Sequence, residues 1–320
     1  MADAEAWPSL PLEDWRETYA TLHMWTQIVG KTRLALAPAE NHWWHVSLQL
    51  TPAGLTTGPM PYRYGTFAVA FDFVAHRLQI ETSAGARRAL PLAAMTVADF
   101  YAEYREALAA LGIELAIMPR PVEVETAIPF AEDRAHCSYD ADAVRRFWRI
   151  LAQADLLLKL FRGRFLGKAS PVHFFWGSFD LALTRFSGRA APRHPGGAPN
   201  TPDRVMIEAY SHECSSCGFW PGGGPVAEPA FYAYAYPEPP GYAGRSVSPA
   251  SARYDTAARE FILPYAVVRS APSPQDDVLA FLQGTYEAAA DLGRWDRAAL
   301  DRPRDEWPRV TLAARPASSP

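Results

Sequence analysis

The sequence predicts an α+β protein of two related helix–strand–hairpin–helix halves with mainly antiparallel sheet, packed as one compact pseudo-symmetric unit. Three observations predict this class. Long stretches with apolar residues three and four positions apart alternate with short stretches of period two. The short stretches are separated by turn residues, which favours antiparallel pairing. The same order of elements occurs twice in 320 residues.

The first half, 1–130, begins with a helix predicted over 12–29, because its apolar residues recur on one face. Gly30 is a plausible end for that helix. A half-buried strand is predicted over 44–51, since apolar and polar residues alternate there. A hairpin over 66–82 continues the sheet.

A helix over 96–111 closes the first half. Thr96 can cap its N-terminus, with Asp99 three residues later, and Gly112 follows its end. Prolines interrupt the next segment, 113–124, which is typical of a sheet edge.

The second half, 131–297, repeats this order and adds one long insertion. The residues 170–189 form the densest aromatic and histidine stretch and are predicted to be a single strand. The predicted elements are a helix over 140–161, that strand, a Gly/Pro-rich insertion at 190–229, an aromatic strand at 230–236, a strand at 260–268, a helix at 273–292 and a disordered tail at 298–320.

The two closing helices support an internal duplication. Glu106–Gly112 aligns with Glu287–Gly293, and both segments are rich in alanine. Alanine-rich helices also resemble one another by chance, so the shared order of elements carries more weight than the identities. A true duplication would leave the 190–229 insertion as the main difference, and inserted loops often carry function.

Composition excludes several partners. The net charge is −4 and the basic residues are dispersed, which argues against nucleic acid. No apolar run approaches the roughly 18 residues of a membrane span. Three cysteines in this length favour a reducing, cytoplasmic location over a disulfide framework. A small-molecule ligand is the expected partner, and the oligomeric state is left open.

Four residues are predicted to be catalytic: His45, His173, Asp180 and Glu213. His45 lies on the polar face of its strand, which would equally suit a solvated sheet surface. His173 falls on the apolar side by strict alternation, as a core histidine would. A bulge at Gly177 would bring it to the face of Asp180, where the two could orient a base.

A metal site is predicted from His173, His212 and Glu213, with a divalent ion as the cofactor. Cys214 and Cys217 have the spacing of half a zinc site, but no second such pair exists. The alternative is a polar loop with incidental cysteines.

Aromatic and basic residues are predicted to contact a substrate. A tyrosine face over 232–236 would form one wall of a pocket, unless it is simply a packed strand. The predicted substrate-binding residues are Trp176, Arg185, Phe219, Trp220, Tyr232 and Tyr234.

Four motifs resemble a bacterial family, the domain of unknown function DUF5996. They are WHVSLQLTPAGLTTGP, SPVHFFWGSFDLALTRFSGR, YSHE followed by GFWPGG, and PAFYAYAYPEPPG. The resemblance covers nearly the whole chain up to Trp295 and implies no mechanism. The family pattern does not include the two cysteines after YSHE, which leaves His212 and Glu213 as the better candidates.

These features together predict an enzyme acting on a small polar molecule. A His/carboxylate cluster in an aromatic-walled pocket would do the chemistry, with or without a metal ion. The alternative is a non-catalytic module for ligand binding or interaction. Convergence of the predicted side chains would separate the two.

Overall fold

The computed structural model describes residues 6–63, 65–223 and 226–309. It confirms the α+β class, with two six-stranded antiparallel sheets. The helices are α1 (Arg16–Leu36), α2 (Val97–Ala110), α3 (Ala141–Arg162), α4 (Asp203–Ala209), α5 (Tyr265–Ser270), α6 (Pro274–Leu292) and α7 (Arg297–Leu300). The strands are β1 (Gln49–Thr51), β2 (Gly54–Thr56), β3 (Met60–Tyr62), β4 (Gly65–Asp72), β5 (Arg77–Thr82), β6 (Arg87–Pro91), β7 (His173–Phe175), β8 (Asp180–Ala190), β9 (His212–Trp220), β10 (Ala230–Tyr236), β11 (Arg253–Asp255) and β12 (Glu260–Pro264).

The first sheet has the order β1-β2-β4-β5-β6, with β3 also paired to β4. The predicted hairpin is confirmed, because β4 and β5 pair with Val69 opposite Ile80, and both residues are fully buried. The predicted cap of α2 is confirmed as well. The Asp99 backbone N–H donates to Oγ1 of Thr96 at 3.1 Å, which satisfies a free donor of the first turn.

The second sheet has the order β11-β12-β10-β9-β8-β7. One of its faces packs against α3 and α6. The two sheets meet where Leu48 and Phe174 exchange backbone hydrogen bonds of 2.8 and 2.7 Å. One hydrophobic cluster contains residues of both predicted halves. The halves therefore share a core, and their duplication stays a prediction.

The first predicted helix was placed too far towards the N-terminus. Helix α1 continues through Gly30 to Leu36. Gly30 has a different role, because a β-carbon there would overlap the indole ring of Trp176. The glycine permits a close approach between α1 and Trp176, and this contact fixes one wall of the site described below.

The predicted strand over 44–51 was largely wrong. Residues Asn41–Val46 form 3-10 turns, in which His42 and Trp43 have φ angles of 58° and 61°. These left-handed conformations interrupt the alternation, so the strand begins only at Gln49. The segment 113–124, predicted as a sheet edge, contains no strand.

The predicted long strand at 170–189 is a hairpin. Strand β7 ends at Phe175, a turn follows at 176–179, and β8 begins at Asp180. No bulge at Gly177 is needed, because Phe175 pairs with Asp180 and His173 pairs with Ala182. Paired residues of an antiparallel ladder point to the same side, so His173 and Asp180 do share a face.

Part of the predicted tail is folded. Residues 298–309 include most of α7 and a 3-10 turn at Arg304–Glu306. Arg302 Nε donates to the Gly163 carbonyl oxygen at 2.9 Å, which ties this segment to the end of α3. Residues 310–320, also predicted to be disordered, lie outside the described residues. In the described ranges, no helix has both the length and the apolar composition to cross a bilayer.

Candidate functional site

A cavity of about 890 Å³ lies on the open face of the second sheet. Strand alternation and register bring one set of side chains to this face, opposite the helices. Helix α1, the 41–46 turns, residues 122–123 and the 194–210 segment cover it. The sheet side chains that line it include Asp180, Ala182, Thr184, Ser216, Trp220, Tyr232, Tyr234 and Glu260.

Asp180 is the most buried acid of the cavity, with 7% of its surface exposed. The hydroxyl groups of Ser178 and Tyr232 both donate hydrogen bonds to its carboxylate. Burial raises the pKa of Asp180, although these two hydrogen bonds oppose the shift. The carboxyl group is therefore fixed in orientation at the wall of the cavity.

Glu123 is held in the cavity by hydrogen bonds to its own backbone and to that of Val122. Gln27 Nε2 donates to the Val122 carbonyl oxygen at 2.8 Å, and the Val122 N–H donates to Gln27 Oε1 at 2.9 Å. We call this pair of hydrogen bonds the backbone clamp. The Glu123 N–H donates to the Pro199 carbonyl oxygen at 2.7 Å. These contacts hold Glu123 at a φ of 58°. Such left-handed conformations cost about 1–3 kcal/mol and concentrate at functional sites.

The Glu123 carboxyl group lies against Gly177, where a β-carbon would overlap it. The Glu123 side chain is exposed and lines the cavity. Desolvation by the protein atoms packed around it, and next the negative charge of Asp180, raise the pKa of Glu123 to about 7. Lys31 opposes this shift. The pKa of Glu123 therefore lies above that of an ordinary glutamate.

Lys31 of α1 supplies an amine to the same cavity. Only 2% of its surface is exposed, and its Nζ lies 5.6 Å from the ring centroid of Trp176. Trp176 is fixed in turn, because its Nε1 donates to the Val46 carbonyl oxygen at 2.7 Å. Burial lowers the pKa of Lys31 to about 8, and Glu123 opposes that shift. We call Lys31, Glu123 and Asp180 the amine–acid site.

Glu260 adds a further carboxyl group on the side of β12. Burial, followed by the charges of Asp180 and Asp255, raises its pKa to about 7. Besides the Lys31 amine, Arg204 and Arg259 line the cavity, together with the carboxyl groups of Glu123, Asp180, Glu238 and Glu260. Positive charge on a ligand would be favoured beside those carboxyl groups that are ionised.

Five of the predicted site residues line the cavity: Asp180, Trp176, Trp220, Tyr232 and Tyr234. Tyr232 and Tyr234 stack with an interplanar angle of 15°, and they present the predicted tyrosine wall. Tyr232 and Tyr234 lie at alternate positions of β10, so their side chains point to one face of the sheet. The pairing register places the Asp180 side chain on that same face.

The predicted catalytic histidines lie outside the cavity lining. His45 accepts a hydrogen bond at Nδ1 from the Glu40 N–H at 3.1 Å and stacks on Trp43. His173 lies on the face of Asp180, but it is 1% exposed and its Nδ1 lies 2.9 Å from Ser47 Oγ. Burial lowers the pKa of His173 to about 3, so the ring is neutral at physiological pH.

Glu213 and His212 have other partners. Glu213 forms an ion pair of 2.6 Å with Arg189, and Ser187 Oγ donates to it at 2.9 Å. His212 Nδ1 lies 3.0 Å from Ser211 Oγ. In the part of the chain that the structure describes, no three His, Cys, Asp or Glu side chains form a group that could hold a metal ion.

Arg185 and Phe219 point to the opposite face of the sheet. The Arg185 guanidinium lies over the ring of Phe161, 3.5 Å from its centroid, and donates to the Phe161 carbonyl oxygen. Phe219 packs on Phe231 and Tyr265. Side chains alternate between the two faces of a strand, so neighbouring residues such as Phe219 and Trp220 cannot both face the cavity.

The same alternation separates the two buried cysteines. Cys214 lines the cavity, whereas Cys217 is on the helix side, with its Sγ 3.7 Å from the Leu183 carbonyl oxygen. Both thiols are free. Burial raises the pKa of each to about 12, so neither is an activated thiolate.

The comparison with known proteins assigns the chain to a family. The model of a family of unknown function, DUF5996, matches residues 7–302. The chain belongs to this family. No curated protein and no solved structure matches it significantly. The matched region of this DUF5996 protein contains the whole amine–acid site.

Sequence reasoning missed Lys31, Glu123, Glu260 and Gln27. One signal for Lys31 was available, since the chain has only three lysines, at 31, 159 and 168, and this one falls within an apolar helix. Glu123 gives no comparable signal. Its position depends on a long-range contact with Gln27, which no local pattern encodes.

Proposed function

We propose that this protein is an enzyme that acts on a small molecule bound in the aromatic-walled cavity, with Glu123 as its general acid and base. One observation carries the proposal: a backbone clamp holds Glu123 beside Asp180 and Lys31 in a concave site. A group whose pKa lies near 7 can both donate and accept a proton at neutral pH.

The walls of the cavity support a ligand with a planar or apolar part. Tyrosine and tryptophan rings offer broad contact surfaces in the lining. The ligand would place its apolar part against Tyr232, Tyr234 and Trp176. Its polar group would then meet the amine–acid site.

Non-catalytic ligand binding is the second candidate. Ser178 and Tyr232 each donate a hydrogen bond to the Asp180 carboxylate. A carboxylate fixed in this way suits recognition of a ligand more than proton transfer. We further infer a cytoplasmic location, in keeping with three free thiols.

Filling the cavity should abolish ligand binding. Ala182 lines the cavity near the start of β8 and is 3% exposed. Ala182→Phe should therefore weaken binding of any cavity ligand by about tenfold or more, because the ring takes the ligand's place. The measurement is ligand-observed NMR with a panel of aromatic amines, alcohols and aldehydes.

Ala89→Phe on the exposed strand β6 is the matched control and should bind like the unmodified protein. Equal binding to the Ala182→Phe protein, or no binding to the unmodified protein, would contradict a cavity ligand. For bound compounds, product formation followed by NMR separates the candidates. An enzyme should convert one of them, and Glu123→Gln should stop conversion while binding persists.

A further inference from the structure

We infer that Lys31 is a covalent catalytic residue, whose amine forms an imine with an aldehyde or ketone group of a ligand in the cavity. The inference rests on the proposed function and deepens it, since it assigns a carbonyl compound as the substrate class of the same site.

The setting of Lys31 differs from that of a structural lysine. Lys159 is a structural example, with its Nζ 2.7 Å from the carboxylate of Asp155. Lys31 is 2% exposed and lines the cavity, yet no described carboxylate lies within the 4.0 Å of an ion pair from its amine. A buried lysine amine without such a partner is available to a ligand.

The Lys31 amine is also held in position. Its aliphatic chain leaves α1 next to Gly30, which packs directly on the Trp176 ring. The amine lies over that ring, 5.6 Å from the centroid, and the indole is anchored to the Val46 carbonyl oxygen. Desolvation in an apolar setting is a common way to make a lysine nucleophilic.

Glu123 is placed to move the protons of imine formation. The neutral Lys31 amine attacks the carbonyl carbon, forming the C–N bond, while the carbonyl oxygen takes a proton from the Glu123 carboxyl group. The nitrogen then returns a proton to the Glu123 carboxylate. Glu123 protonates the hydroxyl group, which leaves as water while the C=N bond forms. The sum is amine plus carbonyl giving protonated imine plus water once a further proton is taken from solvent, with no redox change.

The remaining acids complete the site. A protonated imine is a cation, and the carboxyl groups of Asp180 and Glu260 line the same cavity. Their negative charge would stabilise the intermediate relative to the neutral reactants. Carboxyl groups in the same cavity as the Lys31 amine are therefore expected for a site that generates positive charge on its ligand.

Reductive trapping tests the inference with benzaldehyde as the probe. The full-length protein is incubated with benzaldehyde and sodium borohydride at pH 7, and the benzylated lysines are mapped by peptide mass spectrometry. The three lysines of the chain make the assignment simple. The neutral fraction of Lys31 should exceed that of an ordinary lysine by on the order of a hundredfold at pH 7. We therefore expect Lys31 to be trapped at least tenfold faster than Lys159, with a rate that levels off above pH 8.

Two variants identify the source of the reactivity. Glu123→Gln should slow trapping at Lys31 and leave Lys159 unchanged, whereas Lys31→Arg should retain the fold and abolish trapping at that position. Trapping of Lys31 no faster than Lys159 would overturn the inference. If benzaldehyde still binds in a manner that Ala182→Phe abolishes, the proposed function survives that result. If benzaldehyde does not bind, the proposed function is still supported when another compound of the panel, without a carbonyl group, binds in the cavity.

Discussion

Replacing Gly30 with alanine should destabilise the protein by about 2–3 kcal/mol, because the new methyl group must displace a packed indole ring. The β-carbon would overlap three ring atoms of Trp176. Trp176 cannot move without breaking its hydrogen bond to Val46 and shifting the wall beside Lys31. Chemical denaturation measures the loss of stability, and ligand titration should show weaker binding as well.

Gly284→Ala is the matched control, since it is the same substitution in a helix interior. A β-carbon at Gly284 has its nearest neighbours at 3.8 Å, so there is room for it. Alanine should stabilise α6 by about 0.5–1 kcal/mol through its higher helix propensity. If Gly30→Ala stabilised the protein to the same extent, the close contact between α1 and Trp176 would be wrong.

Replacing Gln27 with leucine should cost about 2–4 kcal/mol, because it removes three hydrogen-bond contacts, two with the Val122 backbone and one with Nε2 of His23. Gln27 is fully buried, and leucine has a similar volume. The loss should extend to function, since Glu123 depends on this clamp for its left-handed backbone conformation. Denaturation curves give the stability, and the pKa of Glu123 should move back toward that of an ordinary glutamate.

Gln275→Leu in the first turn of α6 provides the control. Gln275 is half-buried and distant in sequence from the clamp, so the substitution should change stability by about 0.5 kcal/mol or less. If Gln27→Leu changed the stability as little as this control and left the pKa of Glu123 unchanged, the backbone clamp would not position the Glu123 carboxyl group.

Periodicity was sufficient to predict the elements whose stability is local. Helix α3, the capped helix α2 and the β4–β5 hairpin follow directly from spacing and capping residues. Glycines were harder to interpret. Gly30 and Gly177 look like a helix end and a strand bulge, but both serve as surfaces for packed side chains, Trp176 and Glu123. A partner distant in sequence decided each case.

The candidate site was predictable only in part, for the same reason. Asp180, Trp220 and the tyrosine face could be found because the alternation of side chains along a strand can be read from the sequence. The same alternation also excludes Phe219 and Arg185 from that face once the strands are known. The histidines attracted attention by residue type, but Nδ1 of His173 contacts Ser47 and Nδ1 of His45 accepts from Glu40, and neither ring lines the cavity. Lys31 and Glu123 meet only in the folded chain.

An NMR titration of Glu123 and Lys31 in the intact protein tests the amine–acid site most directly. Carbon-13 labelling of glutamate and lysine side chains gives both signals, and variants Glu123→Gln and Lys31→Arg assign them. We expect Glu123 to titrate at about 7 and Lys31 at about 8. A Glu123 that titrates near the ordinary glutamate value, together with a Lys31 that remains protonated like Lys159, would contradict the amine–acid site.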